Sequence, residues 1–167
     1  MRYYPAALAL SLLAAVSASV GHGKPPESES EAARSLLGSG RAMLAGGDTQ
    51  GATDAFEAAL AIDPSYVAGY LALGDAARAE GLQGKAIHYY REALERDPDN
   101  FAALSAEGGA MVEKGAVEKA KKNLTRLEGL CGKACEETRQ LAAAIARGPM
   151  PRVLSAEAVP TETREKN

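Results

Sequence analysis

Three columns of small residues recur at one spacing along the chain: Gly40, Gly74 and Gly108, then Gly47, Gly81 and Gly115, then Ala52, Ala86 and Ala120, each step 34 residues long. Windows 33–66, 67–100 and 101–134 also stack Leu36 on Tyr70 and Leu104, Phe56 on Tyr90 and Leu124, and Pro64 on Pro98. Agreement of several columns in phase is the mark of a repeat architecture. In such a chain one unit cannot bury its own apolar face, so neighbours must stack, and each unit contacts mainly the next. Three units are about the minimum for stability. With 167 residues there is room for one such domain and little else.

Each window divides at its central glycine into two amphipathic helices, predicted over 32–45 and 49–61, 67–80 and 83–96, and 101–114 and 117–130. The glycines at 47, 81 and 115 suit a reversal between antiparallel helices, where a positive φ is needed. Asp48 can cap the second helix, and Ser65 and Asp99 or Asn100 stand where later pairs begin. Pro64 and Pro98 end the preceding helices. Gly40, Gly74 and Gly108 let the helices of a pair approach closely, with Phe56 and Tyr90 as the bulky partners. A solenoid also needs a terminal helix with a polar outer face. Residues 134–147 supply it: Leu141 and Ile145 would face the third repeat, and Glu136, Glu137, Arg139 and Gln140 water.

The order of a large residue, a small one, alanine, an aromatic and proline resembles the tetratricopeptide repeat, over residues 33 to about 147. The match is strong in repeats one and two. Repeat three departs from it: Leu124 replaces the aromatic, Leu127 the alanine seen at Ala59 and Ala93, and Gly132 the terminal proline, as terminal repeats commonly do. The resemblance implies an all-α fold, an α-solenoid of three helix-turn-helix repeats plus a C-terminal capping helix. It also implies a concave groove lined by the first helix of each pair, able to hold a peptide. The inward positions would be Leu37, Arg41 and Leu44, then Leu71, Asp75 and Arg78, then Ser105, Gly109 and Val112. Arg41 and Arg78 are the candidates to hold a carboxylate. Some members grip a chain-end carboxylate with lysines and asparagines, but Leu37, Arg41, Ala72, Asp75, Ala102 and Ala106 stand near those places here. Tyr70 and Tyr90 occupy repeat-core positions, so of the tyrosines Tyr66, Tyr70, Tyr89 and Tyr90 only Tyr89 is a surface candidate. The triplet Asn123-Leu124-Thr125 fits a glycosylation acceptor, yet it falls inside a predicted helix.

Both ends differ in composition from the repeats. Residues 1–21 carry Arg2, an apolar run from Ala6 to Val16 and then small residues, the pattern of an exported chain's signal peptide, cleaved at about Ala18 or Gly21. The run is well short of the roughly 20 apolar residues that cross a bilayer, so membrane association is expected only through partners. Residues 22–31 contain no large apolar side chain and are expected to form a disordered leader, and 148–167 a disordered tail whose one apolar group is Arg152-Val153-Leu154. Location is expected to be periplasmic or secreted, of the exported bacterial type.

Cys131 and Cys135 are the only cysteines, and in an exported protein they suggest a disulfide across a helix break at Gly132. Redox activity of the pair is the alternative, although the spacing is one residue longer than the usual Cys-x-x-Cys. No metal site is expected, because His22 and His88 lie far from the pair. Nothing in the chain reads as a cofactor loop or a nucleophile elbow, so no cofactor and no enzyme activity are expected. The formal charge of −3 argues against nucleic acid. These readings converge on a scaffold that binds a protein or peptide partner in its concave groove, in envelope assembly or secretion, with self-association as a structural protein a further alternative.

Overall fold

The computed structural model describes residues 27–149, in seven helices: α1 Glu27–Ala45, α2 Thr49–Ile62, α3 Val67–Ala79, α4 Gln83–Arg96, α5 Phe101–Glu113, α6 Val117–Cys131 and α7 Glu136–Arg147. No strand occurs among the described residues. The expected export signal, the first residues of the leader and the tail from residue 150, Arg152-Val153-Leu154 included, lie outside them. One expectation changes: the leader was expected to run to Glu31, whereas helix begins at Glu27. Once the packed face starting at Ala33 and Leu37 has nucleated α1, adding polar residues in front of it needs no further core.

Helices α1–α2, α3–α4 and α5–α6 pack as hairpins, α2–α3 and α4–α5 join one hairpin to the next, and α1–α3, α3–α5 and α5–α7 touch in series. The odd-numbered helices therefore make an inner layer and the even-numbered ones an outer layer. All three reversals use the same device. Gly47, Gly81 and Gly115 have φ of +87°, +74° and +88°, and the amide of the following residue reaches back to a carbonyl of the last turn: Asp48 to Met43 at 2.9 Å, Leu82 to Ala77 at 2.8 Å and Ala116 to Met111 at 2.7 Å. This satisfies carbonyls the helix end would leave unpaired, and only glycine takes that backbone without strain.

Asp48 caps α2 through the Gly51 amide at 2.9 Å, and Asn100 caps α5 through the Ala103 amide at 3.0 Å. Ser65 does not cap. Its amide and hydroxyl both turn to Asp63 Oδ1, at 2.9 and 2.6 Å, and Tyr66 occupies the cap position of α3 without a side-chain bond. The turn at Pro64 places the Asp63 carboxylate nearer than the helix end.

Two apolar clusters fill the space between layers. Phe56 heads the first with Leu37, Ala52, Leu73 and Ala76, and Tyr90 the second with Ile87, Leu104, Met111, Leu127 and Leu141. Phe56 and Tyr90 are fully buried. A side chain at Gly40 would collide with the Phe56 ring, and one at Gly74 with the Tyr90 ring. Tyr70, expected in the core, is half-exposed. Its hydroxyl donates to the Pro64 carbonyl at 3.1 Å, and the Arg96 guanidinium lies 4.0 Å from its ring centre. It therefore fastens the turn between repeats.

Candidate functional site

The inner layer is indented between α3, α5 and α7. A cavity of about 560 Å³ opens there, with Asp75 and Arg78 on one wall, Ala102, Ser105, Ala106 and Gly109 along the floor, and Glu137, Gln140, Leu141, Ala144 and Arg147 on the other wall. Small residues on α5 keep the floor low. A second cavity of about 570 Å³ shares Asp75 and Arg78 and continues past Glu113 toward Gly81 and Gln83.

Asp75 and Arg78 lie one turn apart on α3, so both face this groove. The buried Tyr90 hydroxyl donates to Asp75 Oδ1 at 2.7 Å, a bond that Phe56, the matching aromatic in the first repeat, cannot make. Removal of its carboxyl from bulk water pushes Asp75 above the usual carboxylate range, against the Tyr90 hydrogen bond and the charges of Arg78 and Arg41. Burial, joined by the neighbouring Asp75 charge, drives the Tyr90 phenol well above its ordinary value. Arg78 Nε donates to both Glu113 oxygens at 2.9 Å and its Nη2 closes a further contact. This pairing holds the guanidinium charged and ties α3 to α5 across the groove. The guanidinium lies over Gly109, where a Cβ would come within 3.0 Å of Nη2. Glycine thus leaves the guanidinium room to lie close against α5.

Of the residues expected to line the groove, Asp75, Arg78, Ser105 and Gly109 come together at the cavity. Arg41 is exposed on α1, near enough for its charge to act on Asp75. Two others are corrected. Leu37 and Val112 are buried, 4% and 2% exposed, because they fall on the stripe that faces the partner helices. Leu44 and Leu71 are half-buried against the same clusters. Arg78 was expected to hold an incoming carboxylate, but Glu113 of the same chain already fills that role. Ser105 Oγ donates to the Glu137 carbonyl at 3.1 Å and so joins α5 to α7.

The residues not anticipated are Glu113, the Tyr90 hydroxyl and the inward face of α7. Glu137 and Gln140, both expected to face water, border the open cavity, where Gln140 is exposed and Glu137 half-buried. Gln140 follows Ala106 by one 34-residue step, and both positions border the cavity. Glu107 is another unforeseen group, buried at 4% exposure in the column of Leu73. Arg91 Nε and the Asn123 amide, both at 2.8 Å, satisfy its carboxylate. The Asn123 side chain is therefore engaged within the protein. Tyr89 is half-buried on the outer layer, with Lys85 Nζ 5.7 Å from its ring centre.

Cys131 closes α6 and Cys135 stands at the cap of α7. Gly132, φ +84°, reverses the chain between them, and the two Cα atoms are 5.7 Å apart, a separation a disulfide spans. Among the described residues no group of three or more His, Cys, Asp or Glu could hold a metal ion. No described helix is long and apolar enough to cross a membrane.

Residues 67–100, the whole of the second window, match the family profile described as Tetratricopeptide repeat. The fold is a tetratricopeptide-repeat solenoid. Solved structures agree on that arrangement. The first tetratricopeptide domain of human RPAP3 shares 22% identity over 70% of this chain and 94% of its own, with a TM-score of 0.60. The same domain from Spaghetti (RPAP3) has been solved bound to the HSP90 peptide SRMEEVD. The Yersinia enterocolitica type III secretion translocator chaperone SycD shares 19% identity over 71% of this chain and 83% of its own, with a TM-score of 0.62. It too has been solved with a peptide, from the translocator YopD, at 20% identity over 68% of this chain and 86% of its own and a TM-score of 0.60. No curated protein matches the chain. At these identities the likeness speaks for the tetratricopeptide fold alone.

Proposed function

We propose that this protein is an exported, non-enzymatic interaction module that holds a segment of another protein in the groove between α3, α5 and α7, in envelope assembly or secretion. The observation that carries the reading is the cavity itself, where polar side chains rise on both sides of a floor of alanine and glycine. Such a channel admits a peptide backbone, and its rims can select side chains. Structural neighbours solved with peptides favour the same use of the fold. Export rests on the N-terminal sequence pattern.

Within this reading Cys131 and Cys135 form a structural disulfide. Its closed loop is small, so the chain-entropy gain is only about 2 kcal/mol. Its place between α6 and α7 lets it hold the angle of the helix that forms one wall of the groove. The module is tested by capture from envelope extract with the wild type and with Arg41→Glu and Asp75→Lys combined. Loss of the same protein from the variant supports the groove. Capture unchanged in identity and yield moves the binding surface elsewhere.

A further inference from the structure

The cavity between α3, α5 and α7 lies where the chain leaves the solenoid. Arg147 is the last residue of α7, and it lines the cavity together with Ala143 and Ala144. Gly148, φ +74°, then turns the backbone, so the chain beyond Pro149 starts at the cavity rim. The next residues, Met150-Pro151-Arg152-Val153-Leu154, are the most apolar group in the C-terminal segment, and their one charge is Arg152.

The cavity lining carries two acidic and two basic side chains, Asp75 and Glu137 against Arg78 and Arg147, and Asp75 is the group that suits an arriving cation. The Arg78 guanidinium is committed to Glu113, so the wall on α3 offers the Asp75 carboxylate, which accepts the Tyr90 hydroxyl on one oxygen. Glu137 borders the cavity from α7, with its Oε2 3.0 Å from Cys135 Sγ. Of the other cations, Arg147 lines the cavity itself from the last turn of α7, and Arg41 on α1 acts on Asp75 together with Arg78. A carboxylate partly withdrawn from water gains more from an arriving cation than an exposed one does. Reach is sufficient. Five extended residues from Arg147 to Arg152 span about 17 Å, and packed helices lie about 8–10 Å apart, so with its own side chain added Arg152 reaches from α7 across α5 to α3.

We propose that the segment Met150–Leu154 of this same chain occupies the cavity, with Arg152 facing Asp75 and with Val153 and Leu154 over Ala102 and Ala106. The proposal rests on the reading of the groove as a peptide site and adds that the site is filled at rest by an internal ligand. A tethered segment acts at an effective concentration in the millimolar range, so an outside peptide must displace it.

The test uses the full chain, uniformly labelled with nitrogen-15, and follows the backbone amides of Ser105, Gly109 and Gln140. Arg152→Glu is expected to shift all three, and Asp75→Asn to shift Ser105 and Gln140 the same way. Arg164→Glu, the same charge change outside the segment, is expected to leave them in place. The wild-type positions are expected to hold over a hundredfold dilution. Superimposable wild-type and Arg152→Glu spectra overturn the proposal, and so do positions that move on dilution, since the groove then holds the tail of a second copy. Circular dichroism of Arg152→Glu, expected to match the wild type, shows that the shifts are not unfolding. Still amides together with partner capture lost in the Arg41→Glu, Asp75→Lys variant would retire the internal ligand and leave the peptide module standing. Shifted amides with no partner captured would do the reverse.

Discussion

In the first two repeats each inner-helix glycine is filled from within its own hairpin: Gly40 by the Phe56 ring and Gly74 by the Tyr90 ring. The third repeat lacks that aromatic. Leu124 is only half-buried there, and the atoms facing Gly108 belong to Leu141 of α7. The first two hairpins therefore complete their own close approach, whereas the third is completed by the element that follows it. One consequence is functional. The helix that finishes the third core also brings Glu137, Gln140 and Arg147 to the groove, so core and groove wall form together. The second hairpin differs from the first in turn, because Tyr90 sends its hydroxyl through to Asp75 on the concave side while Phe56 stays wholly within the core.

The largest test of this comparison is Phe56→Ala, expected to cost about 3 to 5 kcal/mol in denaturant unfolding, the range for losing a buried aromatic. A midpoint that barely moves would remove Phe56 from the core. Next comes Leu141→Ala, expected at about 2 to 5 kcal/mol and set against Leu124→Ala, which should cost clearly less. The reverse order would mean that the third hairpin is self-sufficient after all. Reduction of Cys131 and Cys135 is expected to remove about 2 kcal/mol, seen as faster amide exchange in α7 than in α1. Equal protection with and without reductant, or two thiols open to alkylation without it, would separate the pair from the angle of the cap.

The finest test concerns Asp75. Its folded carboxyl titrates above its ordinary value, so the native state binds the proton more tightly than the unfolded one. Its contribution to stability is then full at low pH and declines as pH rises from the ordinary aspartate value to the raised one. Tyr90→Phe keeps the ring and removes the hydrogen bond that lowers this value, so the carboxyl resonance of Asp75 should titrate higher still. A downward move would mean that the Tyr90 hydroxyl does not stabilise the charged carboxylate.

Much of this was legible in the chain itself. The positive-φ glycines, the caps at Asp48 and Asn100 and the buried Phe56 and Tyr90 each answer to a local rule or to the 34-residue phase, which needs only sequence spacing. The misassigned residues share one cause. Leu37 and Val112 sit on the inner helices, but an inner helix has two sides, and spacing alone does not say which is covered by the neighbouring hairpin. Arg78 looks free in sequence because its partner, Glu113, is 35 positions away, in a column occupied by Ala45 and Ala79 in the other repeats. Glu107, in a column held by Ser39 and Leu73, likewise has its charge met from α4 and α6.

Backbone-level features of this protein, its helices, reversals and stacking, were determined by the sequence alone, since helix periodicity, glycine at positive φ and a fixed repeat length act between residues near in the chain. Tertiary structure alone decided which charges remain available in the groove. Whether a guanidinium or carboxylate meets a ligand depends on what stands within about 3 Å of it, and for Arg78, Asp75 and Glu107 those partners come from other helices.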